Sequence, residues 1–502
     1  MPAISLPAHP SLEYLRNEAR ALQRVVRAGD RSALTRIQRH HPDQTSSDDV
    51  TSDHLRQFPL SAAQLVVARE HGFTSWPRMK AYVDMVAEHG WSTAEQPPDG
   101  ATDDFCRLAC LDYTDDDPAR WAQARNLLAA HPELVDADVW AASTAGRPHA
   151  VERLLDADPS LAQARGGPYP WRPLFYLAYS RLDPDVPADN VLAVARMLLD
   201  AGADPNEGYL WNGRPYPFTV LTGVFGEGEQ GPMRQPRHPH SIALARLLLD
   251  AGADPNDSQA LYNRMFRPDN DHLELLFEYG LGHGDGGPWK ARMNDLIGSP
   301  SELLRSQLRW AVEHGYSDRV QLLIRHGVDV HAAYDDGRSP LDLAVLNGFP
   351  TTTAQLRSAG ASATDLEPTD QLMGAMLRAD HEEVERLRAQ HPGAVETLLQ
   401  ARPGLVVWAA ANGRSDTVRL LIELGFDVNA YSRGDAPEEQ PWETALHRAA
   451  FDGDLAMVQL LISLGADAQA HDQRFDATPL GWAQYAGHEA VVQVLADITA
   501  NG

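Results

Sequence analysis

Two series of glycines recur along the chain at a fixed offset, and this regularity constrains the fold more than any other feature. The string at residues 198–206 returns unchanged at 248–256, and weaker copies end at Gly327, Gly360, Gly425 and Gly465. The second series, 12 residues upstream in each case, is Gly315, Gly348, Gly413 and Gly453. Gly327 and Gly360 are 33 residues apart. Such a period predicts stacked structural units that bury their apolar faces against their neighbours.

Each unit has the sequence of two consecutive helices. The clearest first helices open on Ser or Thr at 339–344, 444–449 and 478–483. A side-chain hydroxyl there caps the first turn, and Pro fits the position that follows. A glycine of the upstream series ends this helix. A second helix follows with its apolar residues on one face, as at 417–422.

This pattern resembles the ankyrin repeat, which has a 33-residue period, a Thr-Pro-Leu-His-x-Ala opening and a Gly-Ala-Asp-x-Asn turn. The match is specific at 444–450 and 478–483, and it is degenerate but legible at 172–175 and 218–221. The resemblance implies an all-α ankyrin-repeat solenoid of about ten helix-pair repeats. It also implies protruding finger loops and a concave groove.

The organisation along the chain is predicted as four segments. Residues 1–92 form a helical N-terminal cap, with helices at 12–28, 32–40, 60–71 and 76–88, and residues 93–102 form a linker. Residues 103–320 form degenerate ankyrin repeats with long insertions, and residues 321–502 form regular repeats. Residues 63–76 are similar to the leader of certain bacterial ankyrin-repeat proteins. Two lysines against 41 arginines are typical of a high-GC bacterium.

Charge and composition exclude several classes of function. The 43 basic and 70 acidic residues give a net charge of −27, which disfavours nucleic acid and anionic membranes as partners. Cys106 and Cys110 are too few for a disulfide framework and suit small apolar positions on one helix face. No apolar run is long enough to span a bilayer and no signal peptide is visible, so we expect a cytoplasmic protein.

The insertions are the place where a site is expected. The interval from Gly202 to Gly252 is 50 residues, and residues 165–280 hold seven of the 14 tyrosines. Aromatic side chains with a few polar groups are typical of ligand pockets and interface hot spots. The predicted ligand- or partner-binding residues are Trp171, Tyr176, Tyr179, Tyr209, Trp211, His238, Trp289 and Trp310. The alternative is that these aromatic rings fill gaps left by imperfect repeats.

The favoured function is an interaction protein that binds a protein partner, with a basic patch, through its concave groove and insertion loops. The alternative is an enzyme or small-molecule binder of bacterial secondary metabolism, with a pocket formed at 166–300. Acid–base chemistry of the lyase, cyclase or isomerase type would then use Glu227, His240 and Arg264. The sequence has no nucleotide-binding or zinc-protease motif, so no cofactor and no metal are expected.

One column of residues is also ambiguous. Counted from the first residue of each helix opening, the fifth residue is Tyr176, Trp310, Trp408, Arg448 or Trp482. Residues in the same slot of successive repeats stack along one line of a solenoid, so this column either packs between helices or forms a contact surface.

Overall fold

The computed structural model describes residues 6–41, 57–91, 100–114, 116–182, 186–362, 364, 366–432 and 441–501. It is mostly helical and divides into two compact units, residues 1–307 and 308–502. The predicted domain limits at 92, 102 and 320 stay predictions, and residues 93–99 of the predicted linker lie outside the described residues. Among the described residues, no helix has the length and apolarity that crossing a bilayer requires.

The predicted N-terminal helices are present, with ends that agree within one residue. They are Leu12–Arg27, Arg31–His40, Leu60–Glu70 and Trp76–His89. Side-chain caps are present at three of their starts, where Ser11, Asp30 and Ser75 accept hydrogen bonds from main-chain N–H groups of the first turn. The helix Leu60–Glu70 follows Pro59 and has no side-chain cap. Their apolar faces form one core that includes Leu15, Leu22 and Val66.

The rest of the first unit consists mainly of short helices in succession. They are Ala101–Ala109, Pro118–Ala130, Leu134–Ala137, Val139–Thr144, Pro148–Ala157, Pro173–Tyr179, Ala188–Asp200, Val220–Phe225, Gly231–Arg234, Ser241–Asp250, Ser258–Met265, Asp271–Glu278 and Gly287–Met293, with 3-10 turns at Pro159–Gln163 and Asn294–Leu296. The helix Pro300–Glu313 contains the division between the two units. Cys106 and Cys110 are free and buried.

The all-α prediction omitted a small sheet in the first unit. Strand β1 (Gly90–Trp91) pairs parallel with β2 (Gly208–Trp211), which pairs antiparallel with β3 (Pro217–Thr219). Asn212 and Gly213 turn the chain after β2 with φ of 49° and 63°. Asn and Gly tolerate this left-handed region, so they suit a tight hairpin turn. The inserted segment at 208–219 is therefore an ordered hairpin.

The N-terminal helices contact this hairpin and the helix Gly287–Met293. Tyr82 donates its hydroxyl hydrogen to the carbonyl of Gly213. Tyr82 and Val86 also share an apolar cluster with Leu210 and Trp289. The cap predicted at the N-terminus thus packs against the insertions.

The second unit contains regular helix pairs. Its helices are Ser317–Arg325, Pro340–Leu346, Pro350–Ser358, Pro368–Leu377, His381–Gln390, Ala394–Ala401, Leu405–Ala411, Ser415–Glu423, Ala445–Asp452, Leu455–Ser463, Pro479–Ala486 and Glu489–Asn501. First helices of successive pairs pack on each other, as Ala445–Asp452 does on Leu405–Ala411 and Pro479–Ala486. One continuous apolar core runs through the unit from Leu346 to Leu495. The number of repeats in the whole chain stays a prediction.

The Thr-Ala-Leu-His opening shows how a first helix is connected to the next finger loop. Thr444 and His447 form a capping box, with 2.8 Å between the threonine Oγ1 and the histidine Nδ1. The other ring nitrogen of His447 lies 3.0 Å from the carbonyl oxygen of Ala477. The histidine therefore connects its own helix start to the neighbouring loop.

Candidate functional site

Four of the predicted binding residues form one buried aromatic cluster in the first unit. Trp171, Tyr176, Tyr179 and Tyr209 are each at most 2% exposed. The ring centroid of Trp171 lies 5.3 Å from those of Tyr176 and Tyr179. Phe175 stacks on Tyr179 at 4.2 Å and meets Tyr209 edge-on at 5.1 Å. This geometry favours the packing alternative for the four rings.

The tyrosine hydroxyls in this cluster form hydrogen bonds within the fold. Tyr176, Tyr179 and Tyr209 each donate to a main-chain carbonyl oxygen, at 2.6, 2.9 and 2.8 Å respectively. Burial raises the pKa of all three phenols, because the phenolate is poorly solvated there. These hydroxyls stabilise the inserted loops.

The two predicted tryptophans of the insertions, Trp211 and Trp289, also form hydrogen bonds within the fold. The indole N–H of Trp211 donates to the carbonyl of Asp112 at 3.2 Å, and that of Trp289 donates to the carbonyl of Asn206 at 3.0 Å. Trp211 is half-buried and stacks with the guanidinium of Arg214. Trp289 is buried and lines a cleft.

This first cleft has a volume of about 370 Å³ including its open mouth. Its walls come from different connections and include Asn206, Pro217, Asp257, Trp289 and Lys290. Asp257 accepts from the N–H of Ala260 at 2.8 Å and caps the helix Ser258–Met265. Burial raises the pKa of Asp257 to about 6.

The raised pKa of Asp257 predicts a specific pH dependence. A carboxyl whose pKa is higher in the folded state stabilises the fold below the unfolded value of 3.8, and this contribution is lost as the pH rises through about 6. We expect Asp257→Asn, which retains a capping oxygen, to gain up to about 3 kcal/mol relative to the wild type between pH 4 and 7. Urea unfolding of both proteins at each pH measures this difference, and a constant difference would contradict it.

His238 and His240 lie together in a second cleft of about 300 Å³. The Nδ1 atom of His238 accepts from the main-chain N–H of His240 at 3.1 Å. Burial lowers the pKa of His238 well below its usual value, so this imidazole is neutral at pH 7. The Nε2 atom of His240 lies 2.6 Å from the carbonyl oxygen of Val186.

The structure pairs two of the three candidate catalytic residues and separates the third. Arg264 is completely buried and donates from Nη1 to Glu227, which is 3% exposed. These two residues line neither of the two clefts described, whereas His240 lines the second. The three residues therefore do not share one of these clefts. Their proposed acid–base roles stay a prediction.

The column of fifth residues is largely buried. Tyr176, Trp408 and Trp482 are at most 7% exposed. Trp310 is half-buried and stacks on His314 with 3.8 Å between ring centroids. Arg448 lies over the ring of Phe451 and pairs with Asp452. For the buried members of the column, packing between helices is the favoured role.

Exposed aromatic residues occur elsewhere, in the C-terminal repeats. Phe475 and Tyr485 are 63% and 62% exposed. The guanidinium of Arg474 lies 5.2 Å from the ring centroid of Phe475 and 5.5 Å from that of Trp442. We call Trp442, Arg474 and Phe475 the finger surface. The sequence predicts the loop that carries Phe475, but no pattern signals the exposure of its side chain.

A buried carboxylate holds the loop of the finger surface in place. Asp472, 3% exposed, accepts from the main-chain N–H groups of Arg474, Phe475 and Ala477 at 2.8, 2.6 and 3.0 Å. It also accepts from the indole N–H of Trp482 at 2.9 Å. Phe475 is therefore an exposed ring on a constrained loop.

The C-terminal repeats that carry the finger surface have a surplus of acidic residues. Residues 441–501 contain eight Asp and Glu side chains, of which Glu443 and Asp472 are buried, and two arginines, Arg448 and Arg474. Both arginines stack on aromatic rings, and Arg448 is also neutralised by Asp452. These repeats thus combine exposed aromatic rings with a surplus of carboxylates.

Comparisons with known proteins identify the C-terminal repeats. A family model described as ankyrin repeats (3 copies) matches residues 372–472 and residues 406–501. Rabankyrin-5 of Mus musculus is 28% identical over 215 residues, an alignment that covers 39% of this chain and 18% of that protein. The chain therefore corresponds to less than a fifth of that relative. The C-terminal region contains ankyrin repeats, and these similarities suggest a role in protein interaction.

Proposed function

We propose that this chain is an interaction protein that holds a protein partner through the concave groove of its repeats, with the finger surface as the central contact. The observation that carries the proposal is the exposed ring of Phe475 on a loop fixed by Asp472. Interface hot spots are enriched in aromatic residues and arginine. A loop that is already ordered loses little conformational entropy on binding.

The acidic surplus of these repeats supports a basic partner. Six carboxylates at 441–501 that are not buried, against two arginines, favour a partner segment that is rich in lysine or arginine and carries an apolar residue for Phe475. Electrostatic attraction of this kind accelerates association and weakens as the salt concentration rises. Among the described residues of the first unit, Tyr216 and Met233 are exposed side chains of the inserted segments, and they are a separate candidate contact for a partner.

Phe475→Ala tests this proposal. Selection from a displayed peptide library should enrich basic peptides with an apolar residue, and their affinity should fall about tenfold to a hundredfold in Phe475→Ala. The melting temperature should stay nearly unchanged, because the ring is 63% exposed. Tyr14→Ala is the matched control, since Tyr14 is an exposed aromatic residue of the first unit.

Three outcomes would contradict the proposal. These outcomes are a selection that yields no consistent peptide, a selection that enriches acidic peptides, and a Tyr14→Ala variant that loses as much binding as Phe475→Ala does. Isothermal titration calorimetry at two salt concentrations separates the charge contribution from the contact with the ring.

A small-molecule binder remains the second candidate, and the first cleft supports it. Asp257, Trp289 and Lys290 supply a carboxyl group, an indole and an ammonium group to one concavity. A compound library is screened for molecules that raise the melting temperature of the wild type. The binding of each hit is then measured in Lys290→Met. Saturable binding that disappears in Lys290→Met would favour it over the interaction role.

A further inference from the structure

The helix Leu12–Arg27 carries a row of arginines on its exposed side. Arg16, Arg20, Arg24 and Arg27 are all exposed. Their spacing of three or four residues places them on one face of the helix, and we call these four residues the basic stripe. The apolar face of the same helix is buried in the N-terminal core. Packing of the helix therefore does not require the stripe.

The charges of the basic stripe are not neutralised within the fold. Among the residues that the structure describes, no carboxylate forms an ion pair with any of the four arginines. Arg20 donates to the side-chain oxygen of Asn17 at 3.3 Å, and Arg27 donates from Nε to the carbonyl of Phe58 at 3.1 Å. Both acceptors are uncharged, so the positive charges of the stripe stay uncompensated.

This local excess of positive charge contrasts with the chain as a whole. Residues 12–41 contain seven arginines and three acidic residues, whereas the whole chain has a net charge of −27. Two of the three carboxylates have other roles, since Glu18 binds Arg36 at 3.0 Å and Asp30 caps the next helix. The third, Glu13, lies in the first turn, where the helix dipole favours a negative charge. The stripe is thus a basic surface on an acidic protein.

Helix stability accounts for only part of the basic stripe. Arg24 and Arg27 lie in the last turn, where the helix dipole favours a positive charge. Arg16 and Arg20 lie before this turn, and like charges three or four residues apart destabilise a helix. A row of four unpaired arginines therefore opposes stability, which indicates a ligand that carries negative charge.

We propose that the basic stripe binds an acidic segment of a partner protein. Guanidinium groups bind carboxylates through two parallel hydrogen bonds. Tyr14 and Val25 are 68% and 43% exposed and lie about three helical turns apart, so they add apolar contact area on the exposed side of the same helix. This surface is independent of the finger surface and takes a partner segment of the opposite charge.

The size of the basic stripe favours a short segment over an extended anionic surface. From Arg16 to Arg27 the helix rises about 16 Å. Charges in solution are screened over about 8 Å at physiological ionic strength. A segment that contacts only the stripe therefore interacts with its guanidinium groups, whereas a membrane or a nucleic-acid duplex would also approach the acidic rest of the chain.

Fluorescence anisotropy with a labelled acidic peptide tests the proposal on the full-length chain. The probe repeats Glu-Glu-Leu-Glu over the length of the stripe, and the same peptide with Gln in place of Glu is its control. We expect saturable binding of the Glu peptide alone, which weakens as the salt concentration rises. The combined variant Arg16→Gln, Arg20→Gln and Arg24→Gln should bind it about tenfold or more weakly. Its melting temperature should not fall, because these side chains are exposed.

A matched variant controls for the loss of three positive charges. Arg196→Gln, Arg325→Gln and Arg357→Gln together remove the same charge from exposed helical positions elsewhere and should leave the affinity for the Glu peptide unchanged. Arg20→Glu should weaken binding through a single substitution, so the test does not depend on the folding of the triple variant. The stripe repels basic peptides, so Tyr14→Ala stays a valid control for the finger surface.

Several results would overturn the proposal. Equal losses of affinity in the two triple variants, or no binding of the Glu peptide at low salt, would show that the stripe binds no acidic segment. Tighter binding to phosphatidylserine vesicles than to the peptide would assign the stripe to a membrane. Self-association that only the stripe variant lacks would assign it to a second copy of the chain. Binding that appears only after the four aspartates at 42–56 are replaced by Asn would assign it to a segment of the chain itself.

Discussion

Replacing Arg264 with Met is expected to destabilise the first unit by about 3–5 kcal/mol, the typical cost of leaving a buried charge without its partner. Arg264 donates to Glu227, Asp269 and Asp271, and its side chain is completely buried. Methionine fills a similar volume but takes the guanidinium of Arg264 away from all three carboxylates, which Arg237 also contacts. Urea unfolding measures the loss, and hydrogen exchange at 220–265 locates it.

Two further variants test whether the loss of stability arises from the buried ion pair. Arg246→Met removes a surface ion pair with Glu278, whose side chain is 54% exposed, and should cost less than about 1 kcal/mol. Adding Glu227→Gln to Arg264→Met should recover part of the stability, because it removes the negative charge of a carboxylate that has lost its contact with Arg264. Equal losses in Arg246→Met and Arg264→Met would show that the buried network contributes no more than a surface pair.

Regular elements were predictable because their signal is local. The N-terminal helices follow from amphipathic spacing and from capping residues such as Asp30, and their ends agree within one residue. The hairpin of β2 and β3 also had a local signal, since Asn212-Gly213 is a typical tight-turn pair. Strands of two to four residues are too short for an alternating pattern to reveal.

The candidate site was harder to predict because its contacts are distant in the sequence. Tyr176 and Tyr179 share a helix face, but the spacing does not reveal that the inserted loop itself covers this face. Glu227 and Arg264 are 37 residues apart, so their ion pair depends on the tertiary fold. The exposure of Phe475 likewise depends on Asp472, whose buried carboxylate accepts a hydrogen bond from the main-chain N–H of Phe475.

Replacing Asp472 with Ala is expected to abolish partner binding although Asp472 itself is 3% exposed. Four N–H groups lose their acceptor, so the loop that carries Arg474 and Phe475 is released. Binding must then order the loop again, and each immobilised residue costs about 1–2 kcal/mol. The affinity for a peptide selected on the wild type should fall about a hundredfold, at least as far as in Phe475→Ala.

Hydrogen exchange and a matched variant decide how Asp472→Ala acts. Exchange should accelerate at 473–477, while the helix Ala445–Asp452 stays protected because its packing on the helix Leu405–Ala411 does not involve the loop. Asp476→Asn is the control, since Asn tolerates the φ of 54° at this exposed position and should keep most of the affinity. Unchanged affinity in Asp472→Ala together with faster loop exchange would show that binding does not require an ordered loop. The contribution of Phe475 would then arise from its ring alone, since a mobile loop can still present an exposed side chain to a partner.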